Sequence, residues 1–166
     1  TSKIMNKFPD LKNPIHFIAT LGGIGKMPFA PGTWGSFFAC ILFIFISHFV
    51  SNIEILICSV AIFSIWICER ASVNLVEKDH KSIVIDELAG MWIALYPAIL
   101  YQTQDERVAL VIIAFLLFRF FDILKPFPIS YIDKNVKGGL GIVLDDVIAG
   151  IFAAITSMAV MFFLFV

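Results

Sequence analysis

Five carboxylates stand in or at the edges of apolar runs: Asp86 and Glu87, Asp122, and Asp145 and Asp146. An ionised group in such surroundings is costly and tends to mark function. Carboxylate oxygens grouped this way suit a hard cation such as Mg²⁺. A bland account exists for each adjacent pair, since an acid opening a helix complements the helix dipole by about 0.3–1 kcal/mol. One acid per helix would satisfy that account, whereas two neighbours repel each other. Both accounts stay open on the residues alone, with Asp86, Glu87, Asp122, Asp145 and Asp146 as candidate metal ligands.

The cations form a second set. Arg119 precedes Asp122 by three residues, which puts both on one helix face. The pair is either an internal ion pair, or Arg119 reaches a phosphate with its planar fork of donors while Asp122 turns to the metal. Lys125 follows one turn later. The stretch from Gly25 to Ser36 (GKMPFAPGTWGS) combines Lys26 with two prolines and two hydroxyls just before a long apolar run. Thr33 is expected to cap the helix that follows, and a helix N-terminus presents free N–H groups to an anion. Gly32 and Gly35 let backbone approach a ligand closely. This loop is either a phosphate cradle or an ordinary helix start built from proline and glycine.

Other chemistries lack their residues. His16, His48 and His80 do not cluster, and no paired-histidine pattern exists for phosphohistidine chemistry. Cys40, Cys58 and Cys68 lie in apolar runs without metal-like spacing, as small hydrophobes do. None has an arginine in the short downstream loop that a cysteine phosphatase needs.

The elements that position these groups are helical and apolar. The chain has 166 residues, 60% of them hydrophobic, and eighteen phenylalanines. Its mean hydropathy is +0.94. A soluble domain has roughly 45–50% apolar residues, so lipid is the expected solvent. The net charge of −1 gives no electrostatic reason for nucleic-acid binding. No cleavable signal peptide is expected. The continuous apolar runs read as an all-α integral membrane protein with about five transmembrane helices: 34–50, 53–68, 85 to about 101, 108–124 and 147–166. Residues 14–25 are too short to span and read as an interfacial or re-entrant helix. Residues 128–136 read as an amphipathic segment at the interface. A cytoplasmic N-terminus then places eleven of the twelve basic residues, all but Arg107, on the cytoplasmic side. All of the acid clusters fall at that same face, in one domain of residues 1–166.

Four blocks, in order, resemble the bacterial phosphatidylglycerophosphatase A family. They are Gly25 to Ser36, Ile85 to Trp92 (IDELAGMW), Phe118 to Pro126 (FRFFDILKP) and Gly138 to Gly150 (GGLGIVLDDVIAG). The resemblance runs from about residue 14 to the end. It implies a multi-pass enzyme of the bacterial inner membrane, with a cytoplasm-facing site, that converts phosphatidylglycerophosphate to phosphatidylglycerol and phosphate with Mg²⁺. Set on these positions, it implies Asp86, Glu87, Asp122 and Asp146 as catalytic residues. Lys26, Thr33, Gly35, Ser36, Arg119 and Lys125 would hold the substrate phosphate. A small transporter or channel is the competing class, but it would carry acids at mid-depth on several spans. A lipid phosphotransferase using a CDP-alcohol or a prenyl diphosphate would need aspartate-rich repeats that Asp145-Asp146 alone does not supply.

Overall fold

A computed structural model describes residues 8–73, 75 and 80–165. Lys3, Lys7 and Lys78, used in the charge argument above, lie outside the described residues. Among those described there are seven α-helices, two 3-10 turns and no strand.

Helix α1 (Pro14–Ala19) is opened by Asn13, whose side chain accepts from the Ile15 N–H, and by Pro14 in its first turn. A left-handed turn through Leu21, Gly22 and Gly23 ends it and leads into a 3-10 turn, Ile24–Lys26. Helix α2 (Pro31–Ile46) begins directly after Ala30, which sits in the left-handed region at φ 45°. Proline suits the first helical turn, where its missing N–H is not needed. Helix α3 (Ile53–Ser72) follows a short turn at Ser51-Asn52. Helix α4 (Ile85–Leu95) gives way to a 3-10 turn, Tyr96–Leu100, that contains Pro97. Helix α5 (Gln104–Leu124) is started by a capping box of Thr103 and Glu106. The short α6 (Ile129–Asn135) leads into α7 (Gly138–Phe165).

The expectation of about five transmembrane helices does not hold. One helix among the described residues, α7, is long and apolar enough to cross a membrane. The hydrocarbon core is about 30 Å thick and needs roughly 20 residues at 1.5 Å each. Helix α2 has 16 residues. The run from residue 85 to 101 is broken near Pro97, which leaves α4 with 11 residues. Helices α3 and α5 are longer but carry charge at both ends, Glu54 with Glu69-Arg70 and Asp105-Glu106-Arg107 with Arg119-Asp122. The orientation argument that rested on five spans falls with them.

Helix α4 is the hub of the bundle. All but one of its residues are buried, acids included. It packs on α2, α3, α5 and α7. The Trp92 indole N–H donates to the Ala39 carbonyl at 2.9 Å and fixes α4 to α2. The Ser64 hydroxyl donates to the Ile85 carbonyl at 3.2 Å and fixes it to α3. Glycine decides the crossing with α7. A Cβ on Gly90 would stand 2.6 Å from the Asp146 carbonyl oxygen and 2.7 Å from the Phe118 ring. Outside this core the surface is strongly apolar, as at Ile62, Leu116 and Phe163. The fold thus buries carboxylates at its centre and exposes phenylalanine.

Candidate active site

Three helices bring charged groups to one cavity of about 280 Å³, and a fourth closes its wall. Helix α4 contributes Asp86 and Glu87 from its first turn. Helix α5 contributes Arg119 and Asp122 from its last turns, with Lys125 at its C-cap. Helix α7 contributes Asp145 and Asp146, and the start of α2 closes the wall with Ala30, Pro31 and Gly32. Asp86, Glu87, Asp145 and Asp146 are each less than a tenth exposed.

The dipole account can now be tested on each pair. Asp86 and Glu87 do lie in a first helical turn. Asp145 and Asp146 do not, because α7 begins at Gly138 and the pair stands about two turns inside it. The dipole effect fades within the first turn. Some other partner must account for the second pair.

Arg119 ties the walls together. Its Nη1 lies 2.6 Å from Glu87 Oε2 and 2.8 Å from Asp122 Oδ2. Ser36 completes this node: its hydroxyl donates to Glu87 Oε2 at 2.6 Å and accepts from Arg119 Nη1 at 3.2 Å. A Cβ at residue 32 would collide with Glu87 Oε1, so a larger residue there would displace that carboxylate. Lys125, in the left-handed region at φ 44°, pairs with Asp145 on one side and with Asp133 of α6 at 2.8 Å on the other. Burial by itself would lower the Lys125 pKa, but the two carboxylates carry it above the ordinary lysine range.

The cavity wall holds five carboxylates against three cations, Arg119, Lys125 and Lys81. Buried negative charge in excess must be neutralised by protons or by a bound cation. Glu87 shows the strain. Burial first, and then the Asp122 charge, raise its pKa; Arg119 and Ser36 hold it down, and the balance lies at about 7. The acceptor Asp146 Oδ2 and the donor Arg119 Nε are buried in the wall without a hydrogen-bond partner among the described residues.

These features fit a hard cation of a particular kind. No group of three acidic, histidine or cysteine side chains among the described residues converges closely enough to cage an ion. Mg²⁺ does not need such a cage. It keeps several waters and binds through one or two carboxylates together with substrate phosphate. The all-oxygen donor set, the charge excess and the unspent Asp146 oxygen match that habit.

The residues singled out from the sequence divide into two groups. Asp86, Glu87, Asp122, Asp145, Asp146, Arg119 and Lys125 all line the cavity. Lys26, Thr33, Gly35 and Ser36 do not. Lys26 is exposed in the 3-10 turn before the loop. Thr33 is not the cap of α2, because the helix starts earlier, at Pro31, and Ala30 occupies the cap. Gly35 is buried against Val84, and Ser36 is fully buried behind the Glu87–Arg119 pair. His16 bonds to the Asp10 backbone and does not line the cavity. Four lining residues were not singled out as site residues: Ala30, Pro31, Lys81 and Ile83. The available signal for Lys81 was its place in the short connection that leads straight into the acid-bearing tip of α4.

Comparison with known proteins gives a concordant result. The family model for phosphatidylglycerophosphatase A matches residues 17–161. A Haemophilus influenzae protein named phosphatidylglycerophosphatase A is 39% identical over 158 residues, 93% of this chain and 93% of its own length. The Escherichia coli K12 protein of the same name is 35% identical over 145 residues, covering 87% of this chain and 81% of the relative. A Bacteroides thetaiotaomicron protein, named provisionally as a phosphatidylinositol-3-phosphatase, is 36% identical over 144 residues, or 83% of this chain and 87% of the relative. No solved structure matches the chain.

Proposed function

The chain belongs to the phosphatidylglycerophosphatase A family and is a phosphatase; we propose that it hydrolyses phosphatidylglycerophosphate to phosphatidylglycerol and phosphate, with Mg²⁺, in the cavity between α2, α4, α5 and α7. The observation that carries this reading is the excess of buried carboxylate in a cavity that also holds an anchored guanidinium. A phosphomonoester brings more negative charge, so the cavity needs a cation to accept it.

Asp86 and Asp146, with Asp145 beside them, would hold Mg²⁺ between α4 and α7. When bound, the ion would supply positive charge to neutralise the phosphoryl oxygens. The chain's own groups do the rest. Arg119 is clamped by Glu87 and Asp122, so its fork faces an incoming phosphate in one orientation, with no side-chain freedom left to lose. Lys81 is the one lining cation without an ion pair among the described residues, and it meets a further phosphate oxygen. The N-terminus of α2, opening at Pro31 and Gly32, offers backbone N–H groups to the same anion. Glu87 has Oε2 fixed by Ser36 and Arg119 while Oε1 lies against Gly32. It orients the attacking water and takes its proton as the new P–O bond forms; the P–O bond to glycerol breaks, its electron pair leaves with the glycerol oxygen, and that oxygen takes a proton from solvent.

Membrane lipid is the natural source of the substrate. Phe29 and Phe127 are each about four-fifths exposed and follow or precede cavity residues by one or two positions. They fit a cavity mouth that rests at a bilayer surface while the acyl chains stay in lipid. Lys125, Lys134 and Lys137 flank the N-terminal end of α7, beside the cavity, which favours a cytoplasmic position for it.

Phosphate release from purified protein tests the reading, with phosphatidylglycerophosphate and phosphatidylinositol 3-phosphate as parallel substrates. Preferred turnover of phosphatidylglycerophosphate supports it. Preferred turnover of the phosphoinositide would move the assignment toward the Bacteroides relative, and release from neither would overturn it.

A further inference from the structure

A second and larger cavity, of about 420 Å³, lies at the other end of α2 and α5. The phosphatase site does not use it: Arg107, on its wall, and Arg119 are twelve residues apart on one helix, roughly 18 Å at 1.5 Å per residue. Most of its lining is apolar, with Phe43 and Ile44 from α2, Ile99 from the 3-10 turn, and Val108 and Ile112 from α5. Its polar groups come from the helix ends alone. Ser47 and His48 follow the last residue of α2, and Gln104 and Arg107 belong to the first turn of α5.

Arg107 is the cation on the cavity wall. Arg107 Nε donates to the Tyr101 carbonyl at 2.8 Å, which fixes the side chain and leaves its other donors unspent by that bond. His48 Nδ1 donates to the Ile44 carbonyl at 2.6 Å, which leaves Nε2 of the neutral ring as an acceptor for a head-group N–H or O–H. Neither residue is in an ion pair among the described residues. Of the nearby acids, Glu106 turns back onto Thr103 in the capping box, and Asp105 does not line the cavity. An apolar body with a cationic end selects one kind of ligand, an amphiphile with an anionic head. Phe45 and Leu116, one and four residues beyond the lining positions Ile44 and Ile112, are apolar and more than half exposed.

We propose that this cavity is a binding site for an anionic phospholipid, its head group at Arg107 and His48 and its chains along Ile44, Val108 and Ile112. The site is independent of the phosphatase assignment. Native mass spectrometry of the full chain tests it, after equilibration in mild detergent with equal amounts of dioleoyl phosphatidylserine, dioleoyl phosphatidylcholine and oleate. The expected result is one retained phosphatidylserine on the wild type and on Glu87→Gln. Retention should weaken at least tenfold in the Arg107→Gln, His48→Gln double variant, recover in Arg107→Lys, and vanish in Val108→Trp, which fills the cavity. Equal retention of phosphatidylcholine or oleate would overturn the proposal. So would retention unchanged in both the double variant and Val108→Trp, retention lost in Glu87→Gln, or a wild type that retains no lipid.

Discussion

Arg119 of α5 and Glu87 of α4 meet at 2.6 Å, with both side chains largely buried and Ser36 of α2 bonded to each. Three helices are therefore locked by one guanidinium, and the lock forms one wall of the cavity. Arg119→Lys keeps the charge but loses the planar fork. Removing one aligned donor from an active site costs roughly a hundredfold or more in kcat, and a loss of that order is expected here. Steady-state kinetics on folded, purified variant would measure it. A kcat near that of the wild type would show that the fork is not used.

Ser36 acts through its neighbours rather than on the substrate, since it is fully buried behind the pair. Ser36→Ala should lower kcat and leave KM within about twofold, with a stability loss of about 1 kcal/mol for the missing hydrogen bond. Kinetics and a thermal melt together check this. A raised KM with unchanged kcat would instead place the hydroxyl on the phosphate.

Lys81 and Lys26 separate the observed site from the loop-based expectation. Lys81 lines the cavity and Lys26 does not. Lys81→Ala should raise KM about tenfold, the effect of losing roughly 1.4 kcal/mol of charge-assisted contact. Lys26→Ala should leave kcat/KM unchanged. The reverse pattern would restore the phosphate-cradle role of the 3-10 turn.

The carboxylates were legible because acids are conspicuous inside apolar runs, and their order along the chain put them at one end of the bundle. Lys81 was hidden because it sits in a charged connection, where one more lysine looks like solvated surface. Ser36 and Gly35 lie off the cavity wall because of where the helix starts. With Thr33 as the cap they would have faced the anion; with Pro31 in the first turn they lie deeper and face α4 instead. Gly138-Gly139 reads as loop, yet the backbone is already helical there, which moves Asp145-Asp146 off the helix end. Glycine is used at that point because a Cβ on residue 139 would meet the backbone of α3. Counting apolar runs also overlooked what Pro97 does to the run it interrupts.

Gly90 sets the spacing of the two acid-bearing helices, α4 and α7. Gly90→Ala would push its methyl into the Asp146 carbonyl and the Phe118 ring. Overpacking of this kind costs about 1–3 kcal/mol. A lowered Tm and a loss of activity larger than the stability change explains are expected, because the Asp146 backbone must move. A variant with unchanged Tm and turnover would mean that the crossing is looser than the contact indicates.

The most direct measurement is the Mg²⁺ dependence of phosphate release from phosphatidylglycerophosphate, in the wild type and in Asp146→Asn. Asp146 carries a buried oxygen without a hydrogen-bond partner among the described residues, in a cavity whose carboxylates outnumber its cations. Chelation should abolish wild-type turnover and Mg²⁺ should restore it. Asp146→Asn should remain folded, yet stay inactive or need far more Mg²⁺. Turnover that survives chelation, or an Asp146→Asn variant with the wild-type Mg²⁺ response, would contradict the carboxylate–metal account.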